Sequence, residues 1–278
     1  MLTRIKGIAL PYYISWLFAF VCAHLPFGLK DFARDLSNSL YELLFIDMAG
    51  YKVGYYVNEP AWYVSALFMN ILIFAPLAER FGKKYFERIA PVVALFLYGL
   101  LSLNTPNLYA PHTVMYGFIY KGMIRCAAGV NAGFAIYGLF KNGKFLEFIR
   151  QHKKTKIFIE FLSFTIIVAY MIFPIYKFEA ARDYAVVILI FVFLTTILCS
   201  TSVLEKKLQK CPVVLWLGRF SVYLYFSQCI IYTHKELLHN WNISNFIKLP
   251  IWVVLCFSVA FAVYGFASLF KFIRKFVR

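Results

Sequence analysis

The 278-residue chain is 62% hydrophobic and only 15% charged, with a mean hydropathy of +0.70. Soluble domains are roughly half apolar and a quarter charged, so a water-surrounded globule is excluded and lipid must be part of the solvent. The net charge is +16, but the 29 Lys and Arg are divided among short segments between apolar runs, which excludes a single basic nucleic-acid-binding face.

Apolar runs of spanning length occur at 8–27, 60–79, 88–104, 125–140, 157–176, 183–201, 213–234 and 249–271. Arg4 and Lys6 before the first run resemble the start of a secretory signal. Pro11, Tyr12 and Tyr13 interrupt its apolar core and no small-x-small site follows near Cys22, so the run is expected to be retained as a span. Residues 37–59 are too polar to span, yet hold Leu40, Tyr41, Leu43, Leu44, Phe45 and Ile46. A short interfacial or re-entrant piece is expected there, ending at Pro60, whose fixed φ suits the first helical position.

Trp62, Tyr63 and Ser65 then fall in the first turns of the second span, either as belt aromatics at the interface or as a substrate-binding set. The run at 125–140 is short, and the apolar-aromatic piece 112–124 before it reads as a separate helix. Arg125 opens that run and Asn131 follows within it. An ionisable group at membrane depth points to a functional site, and snorkelling to the interface is the other reading. The segment 141–156 is the densest basic cluster, read as a stop-transfer and lipid-contacting loop or as a contact for a phosphate-bearing donor. No internal repeat or soluble insertion appears, so 1–278 reads as one membrane domain.

With the amino terminus placed in the cytoplasm, alternation puts 20 of the 29 Lys and Arg in inner segments and eight of the 13 acidic residues in outer ones. The inner segments then carry +15 and the outer ones +1, which the positive-inside rule requires of this orientation. The expected fold is therefore an all-α polytopic helix bundle of about eight spans, both termini cytoplasmic, in the plasma or inner membrane.

The six cysteines are scattered, mostly within apolar runs, and read as small buried hydrophobes. No H-x-x-x-H pair or carboxylate cluster suggests a metal site. His24 and His112 have the chemistry of a base, although interfacial polarity explains both, and His152, His234 and His239 carry no pattern. Asn242-Ile243-Ser244 matches a glycosylation triplet of the kind that arises by chance.

Four segments share a pattern with a known family. Pro60-Ala61-Trp62-Tyr63-Val64-Ser65-Ala66-Leu67-Phe68 resembles the P-x-W-[FY]-[LI]-S-A-L signature of the acyltransferase 3 family of integral-membrane acyltransferases. Arg4-Ile5-Lys6 followed by Leu10-Pro11-Tyr12-Tyr13 is similar to the start of that family's third span. Arg125 with Gly129, Gly133 and Tyr137 resembles its Arg-led helix, and Leu217-Gly218-Arg219-Phe220-Ser221-Val222-Tyr223-Leu224-Tyr225 its late L-G-K-x-S helix.

The resemblance implies a membrane acyltransferase moving an acetyl or other acyl group from acyl-CoA to a carbohydrate or glycolipid hydroxyl. Arg4 and Lys6 would hold the phosphorylated donor; Trp62, Tyr63, Ser65 and Arg125 would face the acceptor. The family's catalytic His belongs to its first span and is expected upstream of Met1, so the catalytic residue of this chain is unassigned and its activity alone is in question. Gly7 stands where the family has a second Arg, and Gln228 near where a His is common. Membrane lipid is the other expected partner. The alternatives are a multi-pass transporter for a glycan or small molecule, and a non-catalytic member of the family.

Overall fold

The computed structural model describes residues 2–24, 32–50, 57–105, 107–108, 110–172, 179–198, 210–233 and 244–276, with some side chains in these stretches outside the description. Eleven helices account for nearly all of it: α1 Leu2–His24, α2 Phe32–Asn38, α3 Leu40–Leu43, α4 Trp62–Phe81, α5 Ala90–Asn104, α6 Lys121–Lys141, α7 Gly143–Gln151, α8 Lys153–Ile172, α9 Glu179–Leu198, α10 Pro212–Thr233 and α11 Asn245–Phe276. Each of the eight apolar runs coincides with one of the long helices. Five segments, Glu59–Phe81, Tyr85–Asn104, Lys121–Lys141, Pro212–Ile231 and Pro250–Phe270, are long and apolar enough to cross a membrane, and Ile8–Cys22 and Asp183–Leu198 are shorter apolar helices. Leu95, Phe96 and Leu103 on α5 are exposed, Leu103 at 87%, a surface that lipid and not water would solvate.

The chain divides into two units. The first comprises Met1–Asp47, Lys52–Trp62 and Leu208–Arg278. Here α1 packs on α10 and α11. Ile14 of α1 and Phe220 and Tyr223 of α10 meet Ala260, Val263 and Ala267, a small-residue stripe that lets α11 approach closely. Trp216 stacks on Phe220 at 4.9 Å and adds offset aromatic contact to this seam. Within 37–59 the described residues hold the end of α2, the single turn of α3 and the start of a 3-10 turn, Glu59–Ala61, that carries Pro60 into α4.

The second unit, Met48–Tyr51 and Tyr63–Lys207, is built around α6. Ala127, Ala128, Ala135 and Gly138 are buried along α6, where small side chains allow tight helix contact. The Tyr85 hydroxyl donates to Asn131 Oδ1 at 2.7 Å, and Asn131 Nδ2 donates to Ala127 O, so this polar pair at membrane depth is satisfied. Tyr85 belongs to a π-helical turn, Tyr85–Ile89, that leads into α5.

Segment 112–124 is not the separate helix expected of it. It forms a two-stranded hairpin, Val114–Tyr116 against Ile119–Tyr120, and α6 starts at Lys121. Gly117, at φ 65°, makes the turn that a bulkier residue would strain. The N–H groups of Lys121 and Gly122 donate to Thr113 O and Pro111 O, both at 2.8 Å, so the hairpin end satisfies the first orphan donors of α6. Gly50 also has no substitute. Its φ is +91°, and a Cβ there would meet Phe118 O at 2.6 Å.

Candidate functional site

The start of α6 gathers the polar side chains of the second unit. Lys121 is 3% exposed, and one turn later Arg125 Nη1 donates to Leu108 O at 2.9 Å. Asp183 of α9 holds the other side of the same residue, its Oδ2 accepting the Leu108 N–H at 2.9 Å. The Tyr170 hydroxyl donates to Asp183 Oδ1. Lys121 lies within electrostatic reach of both Arg125 and Asp183. Arg125 thus has a defined partner in the segment before the hairpin.

Two tyrosines complete the cluster. Tyr63 of α4 and Tyr98 of α5 interact electrostatically with Arg125 and Cys126. Asn70 of α4 ties the helices together, its Nδ2 donating to Ala66 O at 2.8 Å and Met123 O at 3.3 Å. Ser65 is fully buried, and its Oγ accepts the Met48 N–H at 3.2 Å. His112, on the hairpin loop, is half-buried with its ring edge-on to Tyr120 at 6.2 Å. Burial holds its pKa below the ordinary imidazole value, which keeps it neutral and able to accept a proton.

Of the residues singled out in the sequence, Tyr63 and Arg125 are brought together. Ser65 lies two residues after Tyr63, about 200° around α4 and so on its other side, and Trp62 falls on the first unit's side of the division. The side chains of Arg4, Lys6 and His24 lie outside the description, as do residues 234–243 with His234, His239 and Asn242.

The first unit contains a polar centre that the sequence did not announce. Glu42 is 1% exposed; its Oε2 accepts from Trp16 Nε1 and Val57 N at 3.1 Å, and Oε1 from Asn58 N at 3.2 Å. Asn58 Nδ2 donates to Phe226 O, and the Tyr225 hydroxyl to Pro60 O at 2.6 Å. The carboxylate therefore fixes the turn that leads into Trp62 and Tyr63.

A family model described as an acyltransferase domain matches residues 1–268. The chain belongs to the acyltransferase 3 family. No curated protein and no solved structure matches it. As a membrane-embedded acyltransferase domain, it gains a chemical context for the cluster on α6. A guanidinium and two phenols supply hydrogen-bond donors in a low-dielectric setting, which acyl transfer needs where oxyanion charge develops. Among the described residues no group of three His, Cys, Asp or Glu side chains forms a metal centre.

Asp183→Ala tests whether the cluster is one unit. It leaves the buried Leu108 N–H and the Tyr170 hydroxyl without their acceptor, at a cost of about 1–3 kcal/mol. A fall in melting temperature, together with new protease sensitivity at 105–113, is expected; an unchanged melting curve and digestion pattern would count against the clamp.

Proposed function

We propose that this acyltransferase moves an acetyl or other acyl group from a cytoplasmic acyl donor, acyl-CoA, to a hydroxyl of a cell-surface carbohydrate at the plasma or inner membrane. The observation that carries the reading is the Arg125 guanidinium, held on Leu108 O within electrostatic reach of the Tyr63 and Tyr98 phenols of two other helices, in a chain whose family transfers acyl groups. By the charge distribution this end of the second unit faces outward, where a lipid-linked or surface glycan is met. Arg125 and the phenols bind the acceptor and the developing oxyanion, Ser65 sets the position of α4 through the Met48 N–H, and Trp62 keeps the acceptor role that the resemblance implies. Arg4 and Lys6, at the inner end of α1, attract the donor's phosphates.

The transfer breaks the thioester, forms an ester to the sugar oxygen and passes the hydroxyl proton to a base. Among the described side chains the imidazoles are those of His112 and His152, and only His112 belongs to the end that holds Arg125. Membranes carrying the full reading frame, given radiolabelled acetyl-CoA, should place label on glycan. His112→Ala should lower the rate by about 100-fold if His112 is that base. Full activity in that variant would show that another group is the base; no label on any glycan, with folded protein present, would overturn the reading.

A further inference from the structure

The other, basic end of the second unit contains a feature that acyl transfer does not use. A cavity of about 360 Å³ opens between the π-turn, α6 and α9. Phe86, Pro91, Leu139 and Phe191 form its apolar walls, while Arg88 and Asn142 stand at its polar edge. Its origin is local. A π-turn widens the helix by one residue per turn, and such turns recur at functional sites. Gly138 lets the Phe86 carbonyl come so close that a Cβ would meet it at 2.8 Å, and the small side chain of Ala135 leaves the space beside that contact unfilled.

The charges around the opening have one sign to offer. Glu87 lines the cavity too, but its carboxylate is turned to Lys83 at 3.7 Å. The exposed Arg88 guanidinium forms no ion pair or hydrogen bond among the described residues. Lys141 lies over the Tyr137 ring at 5.6 Å, one residue before Asn142. From Asn142, whose Oδ1 accepts the Phe145 N–H at 3.3 Å, the chain enters α7.

Helix α7 is amphipathic, with Phe145, Leu146, Phe148 and Ile149 on one face and Lys144, Glu147 and Arg150 on the other. Because it joins two helices that read as spans through single residues, it is held at the membrane surface, and Phe148 is 55% exposed there. An apolar cavity, one unpaired guanidinium and a basic surface helix together describe the complement of an amphiphile with a single anionic head. A soluble polyphosphate would ask for far less apolar wall. Basic pockets between spans on the cytoplasmic side are where anionic lipid headgroups bind.

We propose that this cavity is a binding site for an anionic phospholipid of the inner leaflet, its chain between the π-turn, α6 and α9 and its phosphate on Arg88 beside α7. The site is separate from the cluster on α6 and stands whether or not the acceptor is a glycan.

The protein is reconstituted in nanodiscs of equal phosphatidylcholine and phosphatidylglycerol, extracted in mild detergent and freed of loosely held lipid; the lipid that stays is measured by mass spectrometry. Phosphatidylglycerol should be enriched about tenfold, the worth of one charge-assisted hydrogen-bonded contact. Arg88→Gln should abolish the enrichment, and Ala135→Phe, which fills the cavity, should release both lipids. Equal retention of the two lipids by the unaltered protein, or undiminished enrichment in Arg88→Gln, would overturn the proposal. Displacement of the retained lipid by acetyl-CoA would also overturn it and give the cavity to the donor. If Ala135→Phe fails to fold, Arg88→Gln, a surface change, still decides.

Discussion

Replacing Glu42 by alanine is expected to cost about 3–5 kcal/mol and to lower the melting temperature of the detergent-solubilised protein by ~10 °C. Three donors, Trp16 Nε1 and the backbone N–H groups of Val57 and Asn58, would lose their acceptor in a region closed to water. The Tyr12 hydroxyl, bonded to the Glu42 carbonyl at 2.9 Å, would keep its partner, so the loss is specific to the carboxylate. Since Val57 and Asn58 precede the turn into Trp62, the same change should reduce transfer activity.

Glu42→Gln separates shape from charge. Burial, aided by the nearby Asp47, pushes the Glu42 carboxyl up from 4.5 to about 7, against the opposing pull of the Asn58, Val57 and Trp16 N–H donors. Between those pH values the native state keeps a proton that the unfolded chain has shed. Stability therefore falls as pH rises through the window and is level above it, by on the order of 3 kcal/mol in total. His112 acts with the opposite sign: its lowered pKa makes protonation destabilising as pH falls below the unfolded value. The difference between the native protein and Glu42→Gln isolates the carboxyl. The stability of Glu42→Gln relative to the native protein should rise from pH 5 to 7; a difference that does not vary with pH would refute a buried titrating group.

The second large effect is expected at Gly138. A Cβ there would lie 2.8 Å from Phe86 O and 2.9 Å from Phe86 C, and a backbone carbonyl cannot swing aside as a side chain can. Gly138→Val should cost about 2–4 kcal/mol through overpacking, more than the ~1 kcal/mol that removing a helical glycine returns. It should also force the π-turn away from α6 and abolish lipid retention. Gly133→Ala is the control, because nothing lies within 4 Å of its Cβ. Equal melting temperatures for the two variants would show that the close approach at Gly138 carries no constraint.

The spans were legible because lipid demands long apolar runs, and that demand leaves a mark whatever the packing. The hairpin was not, because Val114, Met115, Tyr116, Ile119 and Tyr120 suit either a strand or a helix over so short a run; Gly117 was the available signal. Glu42 was hidden for a different reason. Among Leu40, Tyr41, Leu43 and Leu44 a single carboxylate reads as a solvated charge, and only the return of the chain at Val57 and Asn58, with Trp16 from α1, encloses it. Arg125 could be marked as a charge at membrane depth, but its neighbours Tyr98 and Asp183 come from helices that sequence distance does not connect.

The direct test of the account is the transfer of labelled acetyl from acetyl-CoA to glycan in membranes carrying the unaltered protein, Arg125→Ala or Tyr63→Phe, each shown to be folded. The account predicts label on glycan with the unaltered protein, a loss of about 100-fold or more with Arg125→Ala and a smaller loss with Tyr63→Phe. Transfer at the unaltered rate in folded Arg125→Ala would contradict the assignment of this cluster to the reaction.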